Sequence, residues 1–211
     1  MTASPPPHPP RGRGRPRNPE TDSIIIATGR RLLRAGGLEA LTFDAIAQAT
    51  GITRATIYRR WPTKAHLLSC IANEDEGTGV HFIDVSDREG IAGEVRALVE
   101  QVYRRYTMPD ISAASLGLFA AIQRDPALRS ELQHPLESSA RADMKRIVDA
   151  GKARGQIRAD VDADAFYDVT IGAVLSRLLI ASTPAEERLI DDITSIVLNG
   201  VVVRDKDYIC P

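Results

Sequence analysis

The sequence predicts an all-α protein: an N-terminal three-helix helix-turn-helix domain followed by a larger C-terminal helical bundle. Three observations carry that reading. From Thr21 onward apolar residues recur at helical spacing, strand-like alternation is scarce, and Gly and Pro fall where helices would end. At 211 residues, with 43% hydrophobic and 26% charged residues, the chain has the composition of an ordinary globular protein.

Residues 1–20 are rich in Pro, Gly and Arg and too poor in apolar groups to pack, so they are expected to form a disordered basic arm. The first helix is expected from about Asp22 to Ala35, with Ile25, Leu32 and Leu33 inward and Gly36-Gly37 ending it. Thr42 is placed to cap a short helix over Phe43–Ala49, where Phe43, Ile46 and Ala47 make an i, i+3, i+4 stripe. Gly51 supplies a tight turn. A second short helix runs over about Arg54–Arg60 before Pro62, and Thr63 opens another over Lys64–Asn73. Residues 77–87 read as a connection. Longer helices are expected over about 88–107, 112–124 and 127–154, the last kinked or broken at Pro135. The segment Gly151–Asp162 reads as a structural turn with a capped restart. Two final helices follow over about 163–182 and 185–203, separated by Pro184. The expected domains are therefore the arm at 1–20, a head at 21–73 and a body at 74–211.

Charge divides the chain. Residues 1–64 hold eleven Arg/Lys against four Asp/Glu, a net of +7, and residues 65–211 hold sixteen against twenty-four, a net of −8. A basic front on an acidic back points to a polyanion met by the front alone. The two cysteines, Cys70 and Cys210, are far apart and suggest neither a disulfide framework nor a zinc site. His8, His66, His81 and His134 are scattered without metal-ligand spacing, and neither a G-x-S-x-G elbow nor a phosphate-binding loop is present. No enzyme activity, metal or cofactor is expected. The first ten residues lack the apolar core of a signal peptide, and no apolar run reaches the roughly 18–20 residues that span a bilayer. The expected location is cytoplasmic, on the nucleoid when DNA is bound.

The segment from Thr42 to Trp61 is helix, Gly-containing turn, helix. In a helix-turn-helix the second helix enters the major groove while the first braces it. Thr53, Arg54, Thr56, Tyr58, Arg59 and Arg60 carry hydrogen-bond donors, and Ile52, Ile57 and Trp61 supply a packing face. Arginine can form two hydrogen bonds with guanine, and threonine can meet a phosphate or a thymine methyl. With Thr42 opening the first helix of the pair, and Tyr58, Trp61 and Lys64 spaced as Tyr–x–x–aromatic–x–x–Lys, residues 22–70 resemble the TetR family of bacterial repressors. The resemblance implies that Thr42, Thr53, Thr56, Tyr58 and Lys64 touch phosphates. It implies that Arg54 and Ala55 face base edges, with Arg59 and Arg60 as additions, and that Trp61 packs in the core.

In the arm, Arg13-Gly14-Arg15-Pro16-Arg17 resembles an AT-hook, whose arginines enter the minor groove of A·T-rich DNA. Two readings stay open: groove insertion by Arg13 and Arg15, or a solvated basic tail adding salt-sensitive attraction.

The resemblance further implies a C-terminal domain that dimerises and binds a small-molecule effector. The last helix carries Leu189, Ile193, Ile196, Val197, Gly200 and Val201 as one stripe. The helix before it is apolar nearly all round, so it is expected to be buried on two sides, one against a partner copy. Tyr103, Tyr106, Met108, Phe119 and Phe166 are the adaptable or aromatic residues expected around an apolar effector. The expected function is a homodimeric repressor that binds a palindromic operator and is released by an effector. An architectural A·T-binding protein with a helical interaction body is the alternative.

Overall fold

A computed structural model describes residues 19–73, 90–179 and 186–201. The described residues form α1 (Pro19–Ala40), α2 (Phe43–Thr50), α3 (Arg54–Arg60), α4 (Lys64–Asn73), α5 (Gly90–Thr107) and α6 (Pro109–Arg124). They continue as a single turn, α7 (Pro126–Leu128), a π-helical segment (Arg129–Gln133), α8 (His134–Ala153), α9 (Ala163–Leu179) and α10 (Glu186–Val201). The all-α reading holds.

Local chemistry sets the helix ends. In α1 the helical backbone breaks at Gly36 (φ −154°) and Gly37 (φ 62°, ψ −156°), where the sequence places the end of the first helix; a short helical turn then reaches Ala40. The expected break at Pro135 takes another form. Pro135 has no N–H to give the carbonyl four residues back, and the chain widens into the π-helical segment just before it and then runs on as α8. The turn after α8 has Gly155 at φ 69°, and Asp162 Oδ1 accepts from the Ala165 N–H at 2.8 Å to cap α9.

Two cores hold these helices. Ile25, Leu33, Leu41, Ile46, Ile57, Trp61, Leu67 and Ile71, from the first four helices and the turns between them, pack together with Ala114, Leu118 and Ile122 of α6 and with Leu132 of the π-helical segment. The second core joins α5, α8, α9 and α10 through Val95, Leu98, Val102, Met144, Val148, Phe166, Val174, Leu189 and Ile193. Each fully buried aliphatic side chain contributes about 1.5–3 kcal/mol. Thus α6 completes the core of the first four helices although residues 74–108, α5 among them, come between.

Polar contacts reinforce this junction. The Arg30 Nε of α1 donates to Asp110 Oδ2 at 2.6 Å, and Arg34 Nη2 lies 3.1 Å from the same oxygen. Gly117 lets α6 approach closely, since a Cβ there would lie 2.5 Å from Leu38 Cδ2 and 3.0 Å from Leu68 Cδ1. Gly117→Val is therefore expected to overpack the junction and cost about 1–3 kcal/mol, read as a lower denaturation midpoint at unchanged m-value. Unchanged stability would show that α6 can shift freely.

Candidate nucleic-acid interface

The helix-turn-helix is built from α2 and α3. The Thr42 hydroxyl accepts from the Ala45 N–H at 3.0 Å and caps α2. Gly51 then adopts φ 72° and donates its N–H to the Ala47 carbonyl at 2.9 Å, a left-handed termination that a Cβ would strain. Thr50 Oγ1 accepts from the Ile52 N–H at 3.2 Å, and Thr53 caps α3 through the Thr56 N–H at 3.4 Å. The Thr53 and Thr56 hydroxyls lie 3.0 Å apart. Such caps leave the Thr42 and Thr53 side chains at the surface.

On α3, Ile57 is buried and sets the inner face. Arg54, Ala55, Tyr58 and Arg59 are exposed, and at 100° per residue they span one outward face. Thr42, Thr53 and Lys64 are also exposed, with Thr56 half-buried beside them. Eight of the predicted contact residues are thus wholly or partly exposed. Tyr58 stands edge-on to Phe43, ring centroids 4.8 Å apart at 83°, so α2 fixes its ring while its hydroxyl stays outside. Arg54 Nη1 pairs with Asp44 Oδ1 at 2.9 Å, and its guanidinium lies 5.7 Å from the Tyr58 ring centre. The Tyr58 hydroxyl and then the Asp44 carboxylate push the Arg54 pKa upward, which keeps the guanidinium charged. The Lys64 ammonium donates to the Leu38 carbonyl at the end of α1.

Arg60 is different. Its side chain is only 12% exposed and its Nε donates to Asp22 of α1, so it braces α3 against α1 and does not share the outward face. Sequence spacing alone gives no sign of that, because Asp22 lies 38 residues away. Trp61 is buried, as expected, and its indole N–H donates to Cys70 Sγ at 3.1 Å. Arg13 and Arg15 lie outside the described residues.

The geometry is that of a braced recognition helix, and two family profiles match the chain. Residues 25–70 match the profile of bacterial regulatory proteins of the tetR family, and residues 85–197 match the tetracyclin repressor-like C-terminal domain. The chain belongs to the TetR family. An HTH-type regulator of Mycobacterium tuberculosis is 27% identical over 177 residues, covering 82% of this chain and 85% of the relative. The transcriptional repressor AcnR of Corynebacterium glutamicum is 26% identical, with 86% and 92% covered. The crystal structure of the TetR family regulator SCO0332 superposes with a TM-score of 0.67 at 26% identity, covering 91% of this chain and all of that one. This TetR-family protein is therefore a DNA-binding transcriptional regulator and not an enzyme. Among the described residues no helix is long and apolar enough to cross a membrane.

A cavity of about 230 Å³ lies between the end of α4 and helices α5, α6, α8 and α9. Of the residues expected around an effector, the structure brings Tyr106 and Phe119 together there. Tyr103 packs against the second core, Met108 is exposed just before α6, and Phe166 is buried in the second core, so these three do not line it. Sequence reading missed Arg105, Arg141 and Tyr167, which complete the wall. Charged residues on amphipathic helices are usually solvated, and only packing reveals which of them turn inward.

Proposed function

We propose that this regulator is a repressor that binds a palindromic operator as a homodimer through the α3 face and leaves it when a small effector fills the cavity. The observation that carries the dimer is an apolar ridge left uncovered among the described residues. Val169 of α9 is 58% exposed and Ile196 of α10 is 70% exposed, flanking a groove that also includes Phe166, Val197 and Gly200. On α9, Ala165, Val169 and Gly172 stand outward at helical spacing, while Phe166, Ile171 and Val174 face the second core. That division supports two-sided burial of α9. On α10 the expected stripe is split: Leu189, Ile193 and Val197 belong to the core of this chain, and Ile196 and Gly200 remain outside. The side chain of Val201 lies outside the described residues. A twofold axis through this ridge would give a four-helix interface and two recognition helices about 34–36 Å apart, or a larger multiple of a turn.

Within this reading, Thr42, Thr53, Thr56, Tyr58 and Lys64 position the protein on phosphates, and Arg54 and Ala55, with Arg59, face base edges. Arg60 acts through its ion pair with α1 instead. Binding selection from a random duplex library, read at moderate salt, tests the proposal. A palindrome is the expected result. Enrichment of A·T tracts without symmetry would transfer the function to the arm, with Arg13 and Arg15 in the minor groove, and favour an architectural protein.

Two substitutions divide the contacts. Lys64→Ala should weaken binding to all sequences alike and reduce the salt dependence by about one phosphate contact. Arg54→Ala should chiefly relax discrimination at one base pair per half-site, by about tenfold. Titrations against the operator and its single-base variants at several salt concentrations read both effects. A uniform loss for Arg54→Ala would remove it from base reading.

A further inference from the structure

Two consecutive residues at the start of α2 reach across to α3 and meet residues one helical turn apart. Phe43 stands edge-on to the Tyr58 ring, and Asp44 Oδ1 lies 2.9 Å from Arg54 Nη1. Arg54 Nη2 in turn lies 3.5 Å from the Tyr58 hydroxyl, with its guanidinium 5.7 Å from that ring centre. The one long cation in the first turn of α3 is thus held from two directions, by a neighbour on its own helix and by a carboxylate on the helix before it.

That carboxylate has a cost on a DNA-binding surface. Residues 1–64 hold four acidic residues, Glu20, Asp22, Glu39 and Asp44, and Asp22 is turned to Arg60. The Asp44 side chain is 69% exposed, so it repels the phosphates of an approaching duplex. It returns little to the fold, since an ion pair between two exposed side chains has almost no net effect on stability. Its place in the first turn of α2 suits the helix dipole, an effect that bears on the helix and not on the choice of base.

We propose that Asp44 is a positioning residue for base recognition, holding Arg54 in the conformation that meets a base edge and so adding sequence discrimination without touching DNA. The inference rests on the placement of Arg54 at base edges proposed above. A guanidinium has five donors; Asp44 and Tyr58 take one each and three remain, enough for the two hydrogen bonds of an arginine–guanine contact. An unrestrained arginine loses rotamer freedom when it docks, and a side chain already held in place loses less. At a mismatched base the guanidinium has to leave the carboxylate to find another acceptor, so the pair penalises the wrong sequence as well as favouring the right one. The anchor itself is firm. Thr42 caps the turn that carries Asp44, at 3.0 Å to the Ala45 N–H, and the Phe43–Tyr58 contact fixes α2 against α3.

The test uses the full-length protein and compares Asp44→Asn, Arg54→Ala and the double variant with the natural chain. Each is titrated against the selected operator, its single-base variants and a random duplex at several salt concentrations, with thermal unfolding alongside. At the base pair that Arg54→Ala relaxes, Asp44→Asn should lower discrimination by about threefold, while random duplex binds equally or more tightly and unfolding is nearly unchanged. In the Arg54→Ala background the same substitution should leave discrimination as it is. Discrimination untouched by Asp44→Asn would overturn the proposal. So would an equal loss with and without Arg54, which would make Asp44 a base contact in its own right. A parallel loss on operator and random duplex would reduce Asp44 to a structural residue, and a tighter operator complex at full discrimination would make it a restraint on Arg54. If Arg54→Ala relaxes no base pair, the base-reading assignment itself fails and the positioning role falls with it.

Discussion

Ile196→Glu is expected to yield a folded monomer that binds a palindromic operator about 100-fold or more weakly. Ile196 is 70% exposed on the isolated chain, so its replacement removes little packing from either core. Surface substitutions of this kind usually change stability by no more than about 0.5 kcal/mol. In the proposed dimer the same position meets a partner copy, and symmetry brings the substitution in twice. Burying each carboxylate without a cation costs several kcal/mol, enough to dissociate a dimer held by a modest ridge. A monomer grips one half-site and loses the advantage of linked binding, about 10²–10⁴-fold. Sedimentation, thermal unfolding and operator titration together check the outcome. A stable dimer with unchanged operator affinity would place the interface elsewhere.

The second large effect is expected at the junction between α1 and α6. Asp110 is fully buried and receives Arg30 Nε at 2.6 Å, with Arg34 Nη2 at 3.1 Å. Its other carboxylate oxygen has no hydrogen-bond partner among the described residues, so these arginines hold the buried charge. Asp110→Ala removes the carboxylate that Arg30 and Arg34 share, and breaking a buried pair in this way costs about 3–5 kcal/mol. For a chain of this length that corresponds to a Tm lower by about 6–20 °C. The double substitution Arg30→Met with Asp110→Leu should recover much of the loss, because the desolvation cost of both charges disappears. A Tm unchanged by Asp110→Ala would show that the pair is dispensable.

The same pair gives a pH signature. Burial pushes the Asp110 carboxyl up, but hydrogen bonds from Arg30 and then Arg34, with the Arg30 charge, outweigh it and hold its pKa below the usual carboxylate range. A carboxylate lowered on folding stabilises fully above its unfolded value, near about 3.9, and the contribution is lost as pH falls through the folded value. The stability gap between the natural protein and Asp110→Ala should therefore be constant from neutral pH to about pH 5 and close in more acidic solution.

The sequence by itself determined the helices and the helix-turn-helix. Caps at Thr42 and Thr53, the left-handed turn at Gly51 and the inward residues Ile46 and Ile57 are local or one helical turn apart, so they can be read without tertiary knowledge. The spacing from Thr42 to Lys64 was enough to expose the family. Tertiary structure decided the rest. That Arg60 turns to Asp22, that Asp110 receives Arg30, and that α6 completes the core of the first four helices are contacts across 38, 80 and about 40–100 residues. No periodicity reports such partners, because a charged residue looks the same in sequence whether it meets water, DNA or a buried counter-ion. The cavity shows the limit most clearly. Tyr106 and Phe119 were legible as aromatic candidates, but Arg105, Arg141 and Tyr167 become wall residues only when α4, α5, α8 and α9 are packed together.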